Sequence, residues 1–202
     1  YGVNIDDVES KRAQVAGFIV KELSRKVSNY RSDNSLSDWL AAEGVPAIQG
    51  VDTRALVRII RQSGALRGVM TTDAAISDLE LVALANESPV MSGQDLASSS
   101  TCPEPSTWTE NLGDWSSYSI TQLDSRWKVV AIDCGAKSNI YRHLTSVGCD
   151  VISVPNTTLA TEILAHCPDG LCISNGPGDP AAVKTTIAML KEVAGTIPTF
   201  GI

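Results

Sequence analysis

The sequence predicts an α/β protein whose second half forms an open parallel sheet, and three observations support this. After residue 127, short and continuously apolar segments alternate with segments of helical periodicity, as in parallel strands that helices cover on both faces. The connections between them are short, which favours right-handed strand–helix–strand units. One apolar run, Leu171–Ser174, ends in the turn Gly176-Pro177-Gly178, and Pro180 opens the next helix.

The elements of the second half follow from these apolar runs and periodicities. Strands are predicted at 128–133, 151–154, 171–174 and 198–202, and helices at 139–147, 159–165 and 181–193. Ligands of such sheets bind beyond the carboxyl ends of the strands. Three places therefore qualify as a binding site: the loop 133–137, the loop 175–180 and whatever follows Ile202.

The first half of the chain mixes helices with shorter extended pieces. Ser35 and Asp52 are good N-cap residues, and each is predicted to begin a helix. A further helical turn or two is predicted at 79–84. Extended segments are predicted at 15–23, 45–48 and 66–72.

Composition and charge exclude several classes of function. A chain of 202 residues with 43% hydrophobic and 19% charged residues is long enough and apolar enough to fold around a core. Its net charge of −7 disfavours nucleic-acid binding, and no apolar run is long enough to span a bilayer. The five cysteines have no metal-ligand spacing, so we expect reduced thiols in a cytoplasmic protein and no metal site.

Residues 87–124 differ in composition from what surrounds them, because Ser, Thr, Pro and Gly dominate and apolar periodicity is lost. We therefore predict a first domain over residues 1–95, a linker over 96–126 and a second domain over 127–202. Trp108, Trp115 and Tyr118 are interpreted as anchors that pack the linker onto one domain, with an aromatic ligand platform as the alternative.

Positive charge gathers at Arg54, Arg58, Arg61 and Arg67 in this otherwise acidic chain. The simpler interpretation is a solvated face of the helix that begins at Asp52. The alternative is a docking edge for an acidic partner surface.

Two resemblances refine the fold and suggest a function. The segment Ser174-Asn175-Gly176-Pro177-Gly178-Asp179-Pro180 resembles the glycine motif of class I glutamine amidotransferases, whose domain has a flavodoxin-like parallel sheet. Pro198–Ile202 resembles the strand that leads into the nucleophile elbow of these enzymes. The resemblance implies that the catalytic cysteine comes directly after Ile202, that a His and a Glu lie further on, and that this chain is an internal fragment carrying no catalytic side chain of its own.

The first half resembles the N-terminal domain of the carbamoyl-phosphate synthase small-subunit family. The similarity lies in Gly50–Arg58 with its Asp-Thr-Arg signature, in Gly64–Val69, in Tyr1–Ser10 and in Ser28–Arg31. The loop Asp133–Lys137 resembles an Asp-Phe-Gly-x-Lys loop of the same family, with Cys134 in place of Phe. Asp133 and Lys137 are expected to pair with each other or to cap the next helix; contact with a synthetase subunit is the alternative.

Together the resemblances imply the glutamine-hydrolysing subunit of a ligase, which makes ammonia for carbamoyl phosphate synthesis in the arginine or pyrimidine pathway. The backbone N–H of Gly176 is the candidate oxyanion donor for the substrate L-glutamine, and Gly178 the adjacent wall of the glutamine site. Both are expected to be glycine because a side chain would fill the space that the substrate needs. No cofactor is expected in this chain, since ATP and Mg²⁺ belong to the large subunit, its partner in a heterodimer.

Two alternatives differ from this function. The chain could be another class I glutamine amidotransferase that serves a different pathway, although the Asp52-Thr53-Arg54 domain argues against it. It could also be a non-catalytic interaction module with this fold.

Overall fold

The computed structural model describes residues 1–113 and 126–202. The chain forms two compact units, Tyr1–Val90 and Met91–Ile202. No helix in the described ranges is both long enough and apolar enough to cross a lipid bilayer.

The first unit contains two very short strands and three helices. Strand β1 pairs in parallel with β2, and a single 3-10 turn at Ile5–Asp7 precedes them. The elements in chain order are β1 (Phe18–Ile19), α1 (Leu36–Ala42), β2 (Ala47–Ile48), α2 (Thr53–Ser63) and α3 (Asp78–Glu87).

The helix starts of this unit follow the capping residues in the sequence. The Ser35 side chain accepts a hydrogen bond from the Asp38 N–H, and the Asp52 carboxylate accepts one from the Ala55 N–H. Both helix starts predicted from the sequence are thus confirmed. Ser77 forms a capping box at the start of α3, which satisfies two of the backbone donors that a helix start leaves unpaired.

The strands of the first unit are shorter than the sequence suggested. The predicted strand at 15–23 is reduced to the two residues of β1, and residues 66–72 form no strand at all. Apolar side chains in that second segment, such as Leu66, are about half exposed. Among residues 1–90, which the structure describes in full, Leu40 is the only buried one. An apolar run therefore has little core to pair or pack against here.

The second unit is built on a five-stranded sheet with the order β3-β5-β4-β6-β7. Strand β3 is antiparallel to β5, and the other four strands are parallel. The elements are α4 (Ala97–Ser100), β3 (Ser106–Trp108), β4 (Trp127–Asp133), α5 (Ser138–Ser146), β5 (Cys149–Pro155), α6 (Ala160–Ala165), β6 (Gly170–Ile173), α7 (Lys184–Val193) and β7 (Thr199–Gly201), with a 3-10 turn at Pro180–Ala182.

The central strands β4, β5 and β6 are packed on both faces, as their continuously apolar runs predicted, whereas β7 is exposed. Alternate residues of these three strands enter opposite clusters, because side chains of a strand point to the two faces in turn. One cluster joins Val130 and Val154 to Ile163 of α6 and Met189 of α7. The other cluster joins Val151 and the apolar residues that point to the same face of the sheet to helix α5. The parallel order β5-β4-β6-β7 matches the start of a flavodoxin-like sheet, so the predicted α/β class is confirmed.

The segment predicted as a linker, residues 96–126, takes part in this unit where it is described. Ala97 of α4 is buried, and β3 extends the sheet beyond β5. Trp108 packs against Tyr141 of α5 with ring centroids 5.1 Å apart, as expected of an anchor. Trp115 and Tyr118 lie outside the described residues.

Candidate active site

The candidate site lies at the carboxyl edge of the sheet, where the strand order changes direction. Strand β4 pairs with β5 on one side and with β6 on the other. In open α/β sheets this switch point is where ligands bind. The loops that follow β4 and β6 meet there, and the second of them, residues 174–179, is called the glycine loop below.

Gly176 stands at the exposed tip of the glycine loop. Its N–H donates to no acceptor in the described part of the chain. A Cβ added at Gly176 would lie 2.0 Å from the carbonyl oxygen of Cys134, which is main chain. Direct contact between the two loops therefore requires glycine at this position, and the expected need to leave space for a substrate stays a prediction.

Gly178 is constrained in two ways. Its φ is +93°, a conformation that residues with a Cβ seldom adopt. A Cβ there would also lie 2.6 Å from the carbonyl oxygen of Gln94 and 2.9 Å from the nitrogen of Leu96. Here too the neighbour in the Cβ direction is main chain of the protein.

The buried hydroxyl of Ser174 connects the two loops. The N–H of Cys134 donates to the Ser174 Oγ at 2.9 Å, and this hydroxyl donates to the Asn175 carbonyl at 2.8 Å. The end of β4 and the start of the glycine loop are thus joined by one fully used side chain.

A segment that precedes the sheet in the sequence crosses the carboxyl ends of three strands. This crossing segment, residues 93–102, first contacts the glycine loop through Asp179. The carboxylate of Asp179 accepts hydrogen bonds from the Gly93 N–H at 2.8 Å and from the Ala181 N–H at 2.9 Å. The Asp179 N–H in turn donates to the Gln94 carbonyl at 3.0 Å. These backbone donors lower the pKa of Asp179, the Gly93 bond having the larger effect.

Further along, the crossing segment reaches the ends of β5 and β4. The amide nitrogen of the Asn156 side chain donates to Ser98 Oγ at 3.1 Å, and the Asn156 backbone N–H donates to Thr101 Oγ1 at 3.0 Å. The Thr101 hydroxyl donates to the Asp133 carbonyl, and the Cys102 N–H donates to the Asp133 carboxylate at 2.8 Å. One continuous segment therefore holds all three strand ends.

Asp133 has different hydrogen-bond partners from those that the sequence predicted. Its second carboxylate oxygen accepts from the N–H groups of Gly135 and Ala136, each at 2.8 Å. It forms no ion pair with Lys137 among the described residues, and helix α5 begins only after Lys137. Asp133 thus holds the loop before the helix and the crossing segment, and neither the predicted pair nor the predicted helix cap is found.

The end of β7 lies beside the glycine loop. Gly201 is in register with Ile173, and the Ile202 N–H donates to the Ile173 carbonyl at 3.1 Å. Because parallel neighbours end at the same edge, the main chain at Ile202 is next to Ser174, where the glycine loop starts.

The cysteines near the sheet are not activated nucleophiles. Burial is the main cause that raises the pKa of Cys102, Cys134, Cys149 and Cys172, and the charge of Asp133 raises the first two further. A raised pKa keeps a thiol protonated and unreactive. The absence of a catalytic side chain within residues 1–202 stays a prediction. Among the described residues, no three His, Cys, Asp or Glu side chains are grouped to hold a metal ion.

The arginines singled out in the sequence lie in the first unit. Arg54, Arg58 and Arg61 are exposed on α2, and none forms an ion pair with a described residue. The guanidinium of Arg67 instead donates to main-chain carbonyls, one of them that of Ser88 at 3.1 Å. The docking role for this face stays a prediction.

Sequence reasoning identified Gly176 and Gly178 but missed Ser174, Asp179 and the crossing segment as parts of the same site. Asp179 belongs to the quoted motif, and its place directly before a Pro-opened turn is a capping signal. The run of hydroxyl residues 98–101 offered no such signal, because its partners are distant in the sequence.

Comparison with known families agrees with this architecture. Residues 130–202 of the second unit match the family model described as glutamine amidotransferase class-I. Residues 1–70 match the model described as carbamoyl-phosphate synthase small chain, CPSase domain.

Individual relatives extend both matches over the whole chain. The carbamoyl phosphate synthase small chain of Syntrophotalea carbinolica is 44% identical over 203 residues, which cover all of this chain and 54% of the relative. The chloroplastic small chain of Oryza sativa subsp. japonica is 41% identical over 201 residues, again all of this chain and 45% of the relative. The chain belongs to the carbamoyl-phosphate synthase small chain family, and both predicted resemblances are confirmed. It spans about half the length of the curated relatives it matches.

Proposed function

We propose that this chain is part of the subunit that hydrolyses glutamine for carbamoyl phosphate synthesis. The observation that carries the proposal is the arrangement at the switch point. The glycine loop is exposed at Gly176, whose N–H donates to no acceptor among the described residues. The main chain at Ile202 lies beside the start of that loop. Both family matches support the same role.

In the proposed mechanism, a cysteine that follows Ile202 in the whole protein attacks the side-chain amide carbon of glutamine. A histidine takes the thiol proton and passes it to the departing nitrogen, so that ammonia leaves and a thioester remains. Water then hydrolyses the thioester to glutamate and regenerates the thiol. A glutamate orients the histidine. All three side chains belong to the part of the protein beyond Ile202.

The contribution of residues 1–202 to this chemistry is made by the backbone. Attack on the amide carbon places negative charge on its oxygen, and an N–H that already points outward stabilises that charge without reorganisation. Gly176 is the proposed donor, and Gly178 forms the adjacent wall. Loss of one such donor typically lowers kcat by about 10²–10³-fold.

The proposed partner is the large subunit of the synthetase, in a heterodimer. The ammonia would be used there with ATP and Mg²⁺, for which we assign no site in this chain. The product would serve arginine or pyrimidine synthesis, and the cytoplasm is the proposed compartment. The relatives' name, small chain, supports a partner of larger size.

The test is a glutaminase assay on the full-length protein, with and without the large subunit. We expect glutamate release that disappears when the cysteine after Ile202 is replaced by serine. The gene should encode that cysteine directly after Ile202. Absence of glutaminase activity under both conditions would contradict the proposal and favour a non-catalytic interaction module.

A further inference from the structure

Asp179 is the last residue of the glycine loop and contacts the crossing segment. The proposed function gives it no role. It directly follows Gly178 and precedes the 3-10 turn at Pro180–Ala182. The crossing segment, with which it pairs, lies outside both stretches that match the family models.

Asp179 is held by three hydrogen bonds, two of which reach the crossing segment. One carboxylate oxygen accepts from Gly93 and the other from Ala181, while the N–H of Asp179 donates to Gln94. Both oxygens are thus used as acceptors, and these bonds favour the ionised carboxylate. Hydrogen bonds to a charged acceptor are stronger than neutral ones.

These hydrogen bonds affect Gly176 because only two residues separate it from Asp179. Gly178 has a positive φ, and a Cβ there would meet backbone atoms of Gln94 and Leu96. On the other side of the loop, Gly176 is against the carbonyl of Cys134. The glycine loop is therefore in contact with the end of β4 on one side of Gly176 and with the crossing segment on the other.

We propose that Asp179 is a positioning residue for glutamine hydrolysis, which holds the glycine loop against residues 93–94 and so fixes the direction of the Gly176 N–H. This inference rests on the proposed function. Asp179 itself does not touch the substrate in it. Its carboxylate acts only through the loop, so its loss misplaces the oxyanion donor without removing it.

The expected kinetic effect follows from when the donor acts. The charge on the substrate oxygen develops only in the transition state, so a misplaced donor lowers kcat and leaves substrate binding nearly unchanged. A displacement of about 1 Å can lower the rate about 10²-fold. The side chain of Asn offers a single acceptor oxygen, so Asp179→Asn loses one of the two acceptor bonds and lets the loop move.

The experiment compares full-length wild-type protein with Asp179→Asn, both with the large subunit. We expect kcat for glutamine hydrolysis to fall at least tenfold while KM changes less than threefold. Amide hydrogen exchange should become faster over residues 91–96 and 174–182. Glu80→Gln is the matched control, because Glu80 is also an exposed carboxylate that accepts backbone and side-chain hydrogen bonds, but in α3. Its kinetics and its exchange in those two stretches should equal those of the wild type.

Several results would overturn the proposal. A folded Asp179→Asn protein with wild-type kcat shows that the carboxylate does not position the donor. If that variant does not fold, Asp179→Ser, whose hydroxyl still accepts one N–H, takes its place with the same expectation. Failure of both variants to fold assigns Asp179 a structural role only. Inactive wild-type protein would instead contradict the proposed function, so the two failures are distinguishable.

Discussion

Replacing Gly176 by alanine tests the contact on which the geometry of the glycine loop depends. The added Cβ would lie 2.0 Å from the Cys134 carbonyl oxygen and 2.9 Å from its carbon. Real Cβ atoms essentially never approach closer than 3.0 Å. Both partners are main chain, so no rotamer change relieves the overlap, and the loops must separate by about 1 Å.

Separating the two loops lowers both the free energy of unfolding and kcat. Overpacking typically costs about 1–3 kcal/mol, and weakening the Cys134–Ser174 hydrogen bond adds about 1 kcal/mol, so we expect Gly176→Ala to lower the free energy of unfolding by about 2–4 kcal/mol. The same movement displaces the Gly176 N–H by about 1 Å, for which we expect kcat to fall about 100-fold.

Urea unfolding and glutaminase kinetics of the full-length protein measure both quantities. Gly170→Ala is the matched control, because Gly170 lies in the same strand and loop connection, yet a Cβ there meets nothing nearer than 3.7 Å. Its unfolding free energy should stay within about 1 kcal/mol of the wild type. A Gly176→Ala protein as stable and as active as the control would refute the argument from loop contact.

Four further predictions concern residues away from this contact. Ser77→Ala removes the N-cap of α3 and should lower stability by about 1 kcal/mol, measured by thermal unfolding. The hydrogen bonds to Ser77 lower the pKa of Glu80, so the stability lost in Glu80→Gln should be complete above about pH 4.5 and vanish as the pH falls through the lowered pKa. Cys167 has φ +48°, and Cys167→Asn should raise stability by about 0.5–1 kcal/mol in urea unfolding, whereas Cys167→Ala should not. A thiol reagent applied to folded protein should label exposed Cys167 before buried Cys172, whose pKa burial raises; the reverse order in peptide mapping would contradict the packing.

The parts of the fold that follow from local chemistry could be predicted from the sequence. Ser35 and Asp52 cap helices because their side chains reach the backbone three residues on, a purely local matter. The parallel strands of the second unit were predictable because burial on both faces demands continuous apolar runs. The strand predicted at 66–72 failed for the opposite reason, since its apolar residues have no core beside them.

The candidate site was predictable only in part. Gly176 and Gly178 were identified, but the contact of Gly176 with the carbonyl of Cys134, forty-two residues earlier in the chain, was not predictable. The crossing segment resembled a linker because Ser and Thr dominate it. Its hydroxyl groups instead hydrogen-bond Asp133 and Asn156, which are distant in sequence. Such pairings leave no periodicity, so composition alone cannot show them.

The antiparallel strand β3 determines how this sheet can meet other molecules. An unpaired strand edge is a template for intermolecular strand addition and aggregation. Since β3 occupies the outer side of β5, that flank offers no long row of unpaired backbone groups. Among the described residues, addition of a strand at this flank would therefore first meet the three residues of β3.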